Sequence, residues 1–533
     1  MAHVHPLRFV WISCSLLIMG AAFAAGLSPL LEEAWRWVGI LVIGSGLMIA
    51  AAMLLQDRQR LEGVALLLVG FSAMVAFLTV SQYRFLGWED EFGPATRLGM
   101  LISARVPLYF DPWLPVNASA ALFETSIPIA LGLLLIGQGW RRWVAGGALG
   151  WLLPGLFITS SRGAWLALLI TLVIGAVAFQ AQRHWPAQRW VLPLLIGAVA
   201  IGVAALVGVA VLRPVALDAL IERAQERTTL YRNSLILAMS MPFSGVGAGS
   251  NFMMAYSRTY LLISEPFLSY PHNLLLSIWL WHGLLGLIGF AILLINISRL
   301  VRRTHAQFNP LAIGISLSAL GMLLHGITDA PQYDRSTVFL SSCLIVGMLL
   351  ASTITHHPQP LPALPSKLRY GLLALAIILG VANGPWLLSR AALNMAWLQH
   401  NHVLVLPDPN SRDERITAAA SWIDQANRLT PNQLAVRRAR GLLASTSREY
   451  ARVIADLGMV LEAQPTDQAV RKALGYAMIW EGSPEQGAML LSSLKRATDI
   501  PNELRLWEAY WAKQGDARRA TSARLSAQLL AQT

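Results

Sequence analysis

The sequence predicts an all-α polytopic membrane protein of about eleven transmembrane helices, followed by a smaller α-helical repeat domain. Three observations predict it. The 533 residues are 55% hydrophobic and only 13% charged, with a mean hydropathy of +0.52, a balance rare in soluble chains of this length. Many nearly charge-free windows of about 18–22 residues are long enough to cross a hydrocarbon core of roughly 30 Å. Beyond residue 390 the composition turns polar, and a segment recurs at an offset of 34 residues.

Spans are expected at 9–27, 33–55, 61–81, 118–138, 141–160, 163–182, 190–212, 283–300, 310–328, 337–355 and 371–389. The first resembles a signal peptide (Arg8, an apolar stretch, then Ala22-Phe23-Ala24), but the spans after it favour an uncleaved helix. Links after alternate spans carry Arg58 and Arg60, Arg141 and Arg142, Arg183 and Arg189, Arg299, Arg302 and Arg303, and Lys367 and Arg369. That alternation assigns these links to the cytoplasm. The opposite side then receives the loop 82–117, the corner 159–162, the loop 213–271, the loop 329–336 and the C-terminus. Most of the basic groups in the first 370 residues sit in short links between spans, which argues against nucleic-acid binding.

The loop 213–271 is too long for a passive connector. It opens at Pro214, suited to a first helical turn, and Leu217, Leu220, Ile221 and Ala224 form a stripe at helical spacing. Arg223 and Arg227 share a face of that helix. The run Gly245-Val246-Gly247-Ala248-Gly249 is a place where backbone can approach a ligand closely; its spacing fits no dinucleotide fingerprint.

Residues 1–389 are read as the membrane domain and 390–533 as an extracytoplasmic repeat domain. There, Pro431 to Arg437 matches Pro465 to Arg471, with Ala439 and Gly441 matching Ala473 and Gly475. A 34-residue period is that of tetratricopeptide helix pairs, and a degenerate third copy is expected near Pro501. Such stacks bind protein partners or brace a neighbouring domain.

Few residues are candidates for chemistry. Arg162, in Ser161-Arg162-Gly163-Ala164-Trp165, is either an interfacial anchor or an anion-binding group. Arg223, Arg227 and Arg232 lie on the side that the positive-inside rule disfavours for arginine. They read as a solvated helix face or as a clamp for phosphate oxygens, whose geometry the guanidinium fork matches. His272 stands at the mouth of an apolar helix; it is a structural boundary histidine or a proton acceptor at neutral pH, and Asn273 is placed to orient it or to hold a hydroxyl. His325 and Asp329, one turn apart at the outer end of another span, rank second for the same cavity. Cys14 and Cys343, both in apolar spans, offer no disulfide framework. No metal-ligand spacing, serine elbow or Walker loop is present, so neither a metal nor a cofactor is expected.

Three segments together resemble the O-antigen ligase / O-antigen polymerase superfamily, which includes bacterial protein O-oligosaccharyltransferases. Thr159 to Ala167 is similar to the family's Ser-Arg-Gly segment heading a span. Arg227-Thr228-Thr229-Leu230-Tyr231, followed by Met241-Pro242-Phe243-Ser244-Gly245-Val246-Gly247, is similar to its Arg-x-x-x-Trp segment and Pro-x-x-Gly-x-Gly turn, with tyrosine in place of tryptophan. His272-Asn273, nine residues, Gly283, two residues and Gly286 satisfy the ligases' histidine motif. The resemblance covers about residues 1–355 and is densest from 150 to 300. It implies a GT-C-like membrane glycosyltransferase in the bacterial cytoplasmic (inner) membrane, with its site and C-terminal domain periplasmic. The implied donor is a glycan on a polyprenyl (undecaprenyl) diphosphate. Its glycan would pass, with inversion and without a metal, to a hydroxyl of lipid A core, of a second lipid-linked glycan or of a protein. Arg162 and Arg227 would hold the diphosphate, His272 would activate the acceptor with Asn273 supporting, and Arg223, Arg232, His325 and Asp329 are further substrate-binding candidates. A flippase of lipid-linked sugars and a non-enzymatic scaffold are the rival readings; both predict that His272 tolerates alanine.

Overall fold

The computed structural model describes residues 7–83, 93–105, 114–181, 214–260, 268–304, 309–333, 335–356, 370–371, 374–375, 378, 380–403, 405, 408–494 and 499–532. All regular structure among them is helical. The first part comprises α1 (Arg8–Leu27), α2 (Leu31–Leu54), α3 (Arg58–Ser81), α4 (Gly93–Arg105), α5 (Val116–Ile136), α6 (Trp140–Ile158) and α7 (Arg162–Ala181). Next come α8 (Pro214–Ser240) and α9 (Ser250–Tyr260), which occupy most of the long expected loop. Helices α10 (Leu274–Thr304), α11 (Pro310–Thr328) and α12 (Ser336–His356) follow, and α13 (Gly384–Val403) leads to the C-terminal helices.

Seven helices among the described residues are long and apolar enough to cross a membrane: α1, α2, α3, α5, α10, α11 and α12. Seven spans, rather than about eleven, therefore rest on this structure. Helix α7 is apolar over the shorter stretch Arg162–Val177, and α6 opens on Arg141 and Arg142. The span expected at 190–212 lies outside the described residues, and that at 371–389 is described only in part.

Helix α10 begins at Leu274, not at 283, and is broken at Gly283 (φ +61°, ψ −166°). The break frees the carbonyl of Leu280, which accepts the backbone N–H groups of Val246 at 2.7 Å and Gly247 at 3.2 Å. The glycine-rich turn therefore docks on helix α10. At Gly245 (φ +66°) a β-carbon would lie 2.3 Å from the Leu280 carbonyl oxygen, and at Gly283 one would lie 2.1 Å from that of Phe243. The close approach expected of this turn is thus made to the protein's own backbone, which corrects its reading as a ligand-approach loop.

Beyond α13 lie α14 (Pro409–Leu429), α15 (Leu434–Thr446), α16 (Tyr450–Ala463), α17 (Gln468–Trp480), α18 (Pro484–Ser492), α19 (Ile500–Lys513) and α20 (Ala517–Leu530). Helices α15 and α17 start at 434 and 468, and α16 and α18 at 450 and 484, the same 34-residue step in both pairs. A further pair, α19 and α20, stands where the degenerate copy is expected. One hydrophobic core runs from α1 and α2 through α8, α9 and α10 into these C-terminal helices. A second packs α3, α5 and α6 with α11 and α12.

Polar ties join the two regions. The Asn394 side-chain oxygen accepts the N–H groups of Phe243 (3.1 Å) and Ser244 (3.3 Å). Buried Arg438 donates to Asp467 (2.6 Å), to the Tyr260 hydroxyl (3.2 Å) and to Ser240 (3.5 Å), and lies over the Trp397 ring. Burial alone would lower the Arg438 pKa; Tyr260 and Asp467 outweigh it and raise it.

Candidate active site

The site is assembled by three helix ends and the middle of α8. The loop before α10 delivers Tyr270 and His272, the end of α11 delivers His325 and Asp329, the start of α5 delivers Asn117, and α8 delivers Arg227 and Tyr231. Asn273 caps α10: its side-chain oxygen accepts the Leu276 N–H at 3.1 Å, while its amide nitrogen donates to the Ile327 carbonyl at 3.0 Å. Both ends of that amide are engaged in this brace. His272 sits just before it in the left-handed region (φ +52°), a conformation that costs of order 1–3 kcal/mol and persists only where its surroundings over-determine it. Tyr231 supplies part of that constraint, since its hydroxyl lies 3.0 Å from the carbonyl oxygens of both His272 and Thr328. Burial pushes the Tyr231 pKa up, so it remains a donor.

His272 Nδ1 lies 2.9 Å from Asp329 Oδ1. The same oxygen accepts the Tyr270 hydroxyl (2.8 Å) and the Ala330 N–H (2.7 Å), and Oδ2 accepts the Asn117 amide (2.5 Å). Burial alone would raise the Asp329 carboxyl. The hydrogen bond and charge of His272, with Arg227 and His325 behind them, outweigh it and hold the group down to about 2, from an ordinary 3.8. An ionised carboxylate only accepts, so in neutral His272 the proton sits on Nδ1 and Nε2 carries the lone pair. The His272 side chain is 17% exposed, against 5% for Asp329. It stands at the rim of the site and is not sealed by packed aliphatic groups.

A second carboxylate–imidazole pair lies alongside. His325 Nδ1 is 2.8 Å from Glu124 Oε1, and both side chains are almost fully buried. The pair is held by close approach of α5 and α11: a β-carbon on Gly314 would lie 2.3 Å from the Pro128 carbonyl oxygen. On the other side of His325 stands Gly163, where a β-carbon would lie 3.4 Å from His325 Nε2 and 2.6 Å from Thr328 Oγ1. The start of α7, and with it Arg162, therefore abuts the end of α11 that carries Asp329; Arg162 itself is exposed.

Arg227 is half-buried, and its charge acts on Asp329, Tyr231 and His325. Its Nη1 is buried with no hydrogen-bond partner. Such an orphaned donor is costly unless it is kept for an anion. The charge of Arg232 acts on Tyr256 of α9, and its Nε is likewise buried with no hydrogen-bond partner. The side chain of Arg223 lies outside the described part of the chain.

Four participants are absent from the sequence-based candidates. Glu124 carries a legible signal, a lone carboxylate in an apolar span. Tyr270 and Tyr231 stand inside the two motifs without marking themselves as hydrogen-bond donors. Asn117, a polar residue at the head of a helix, gives no signal.

These helices and this polar cluster at their ends define a multi-span α-helical membrane protein with a histidine–aspartate site. Residues 147–291 match the family model described as O-Antigen ligase. Over that segment the chain is similar to the O-antigen ligase/polymerase superfamily, which supports a membrane glycosyltransferase-type function at the level of the family. The matched segment holds Arg162, Arg227 and His272, whereas Asn117, Glu124, His325 and Asp329 lie outside it. No curated protein gives a significant match to the chain.

Proposed function

We propose that this protein transfers a glycan from a polyprenyl-diphosphate carrier to an acceptor hydroxyl on the outer side of the bacterial inner membrane. His272 is the base. Its Nε2 takes the hydroxyl proton as the acceptor oxygen bonds to the anomeric carbon. The bond from that carbon to the diphosphate oxygen breaks, and its electron pair leaves with the polyprenyl diphosphate. Attack opposite the leaving group inverts the anomeric centre. Asp329 fixes the tautomer and stabilises the imidazolium. Arg227, with its orphaned Nη1, and Arg162 at the rim hold the diphosphate. Guanidiniums placed where charge develops are each worth about a hundredfold or more in rate, so the reading invokes no metal. The observation that carries it is the His272–Asp329 contact at 2.9 Å, beside a half-buried cation whose charge reaches the same carboxylate.

The C-terminal helices are read as tetratricopeptide-like and periplasmic. The acceptor is lipid A core, a second lipid-linked glycan or a protein. In vitro transfer from a polyprenyl-diphosphate glycan, with all three acceptors offered in parallel, decides among them. In that assay His272→Ala should lose about 10²–10⁴-fold in rate while still inserting and folding. Full activity of the alanine variant would leave a flippase or a scaffold as the better account.

A further inference from the structure

A cavity of about 310 Å³ lies where three parts of the chain meet. Thr259 reaches it from the end of α9, Trp397 and His400 from α13, and the remaining walls come mainly from α15, α17 and α19. Ligand sites favour such junctions. One wall is a run of aromatic rings: Tyr476 and Trp480 stack with centroids 6.1 Å apart, and Trp480 meets Trp507 at 5.6 Å. The polar lining is of both signs, with Lys472 and Arg448 against Glu503. Burial lowers the Lys472 pKa and the Glu503 carboxylate pulls it back up, so the two charges feel each other there.

Lining of this kind discriminates between ligand classes. A lipid chain offers nothing to the charged groups, whose burial beside it would be costly. Glu503 offsets one of the two cations, so little net charge is left to draw in a polyanion. A sugar ring presents an apolar C–H face, which lies well on aromatic rings, and a rim of hydroxyls that each donate and accept. A polypeptide on a helical-repeat surface runs along an extended concave face, whereas this is a bounded recess.

We infer that this cavity binds sugar residues of a glycan chain, as a carbohydrate subsite additional to the one at His272. The inference rests on the transfer reading for the source of the sugar. The binding itself stands on the cavity's own geometry.

The test uses the full-length protein in lipid nanodiscs. The probe is the oligosaccharide released by mild acid from the polyprenyl-diphosphate donor. Binding is read by saturation-transfer NMR and by tryptophan fluorescence. Wild type should bind, and Glu503→Gln, which removes a charged acceptor without changing shape, should weaken binding about tenfold or more. Trp507→Ala should do the same, with Trp507→Tyr as the milder variant if alanine fails to fold. No saturation transfer to the wild-type protein, or unchanged affinity in both Glu503→Gln and Trp507→Tyr, overturns the inference. So does a peptide from an acceptor protein that binds there while the sugar does not. Loss of sugar binding in Glu503→Gln or in Trp507→Tyr supports it. Full transfer activity of His272→Ala would refute the transfer reading and leave the cavity result standing.

Discussion

Asp329→Asn isolates the contribution of one charge to the site. The amide matches the carboxylate in shape, and its oxygen can still receive His272, Tyr270 and Ala330 if its nitrogen faces Asn117. Asn117 would then turn its own amide to present an oxygen across the 2.5 Å contact. Hydrogen bonding is largely kept, and the charge is lost from a nearly buried position. The wild-type carboxyl is held at about 2 against an ordinary 3.8, a difference worth about 2 kcal/mol of folding stability. The sign follows from the direction: the native pKa is depressed, so this stability is complete above about pH 4 and drains away as pH falls toward 2. Wild type should therefore be the more stable of the two above about pH 4, and the two should converge below it in chemical unfolding of the detergent-solubilised protein. Transfer is hit harder, because an amide does not stabilise the imidazolium. We expect a fall of about 10²–10⁴-fold in kcat with bound donor retained. Adding Asn117→Asp to the variant returns a carboxylate to the cluster, on the wrong side of residue 329 from His272, and should not restore transfer. A single variant within tenfold of wild type in transfer, in the assay where His272→Ala is inactive, would refute the orienting role.

Three further outcomes follow from individual contacts. Tyr231→Phe removes the hydroxyl that lies 3.0 Å from the carbonyls of His272 and Thr328; it should cost about 0.5–1.5 kcal/mol in unfolding free energy and a larger share of transfer rate, because the strained His272 backbone is released. Gly283→Ala places a methyl group 2.1 Å from the Phe243 carbonyl oxygen at a positive φ; limited proteolysis should find the 241–249 turn detached, and transfer should be lost. Arg438→Met strands the buried Asp467, at about 3–5 kcal/mol for a broken buried pair, which a drop in melting temperature should report.

Much of this architecture was legible. Hydropathy marks the seven helices long and apolar enough to span, Pro214 marks the start of α8, and the 34-residue step marks where α15 to α18 begin. What periodicity did not supply was backbone geometry at the helix ends. His325 and Asp329 are four apart and read as neighbours on one face. Asp329 in fact leaves the helix as its extended C-cap (φ −156°, ψ 158°), so its carboxylate crosses to His272 while His325 stays in the bundle with Glu124. The break at Gly283 misleads in the other direction: the glycine reads as the start of a span, although apolar helix continues on both sides of it. The glycine-rich turn reads as a ligand loop but packs on a helix, since positive φ and close approach serve either equally well.

That turn also bears on why a polar C-terminal region belongs to a membrane-embedded site. Arg438 holds Ser240 and Tyr260 at the ends of α8 and α9. Asn394 holds the backbone of Phe243 and Ser244 between those helices, and the turn in turn satisfies the freed Leu280 carbonyl of α10. The N-terminal end of α10 is what sets Asn273 and the strained His272. A loosened contact at Arg438 would therefore reach the imidazole through the backbone from Ser240 into the 241–249 turn, that turn's hydrogen bonds to Leu280, and the first turns of α10. The turn has the lowest tolerance along that path, because its glycines admit neither a β-carbon nor another backbone conformation. Arg438→Met should thus lower transfer at temperatures where the protein is still folded, and restoring the guanidinium should restore the rate. Lysine at 438 should not, since one ammonium cannot reach Asp467, Tyr260 and Ser240 with the fixed fork that arginine provides.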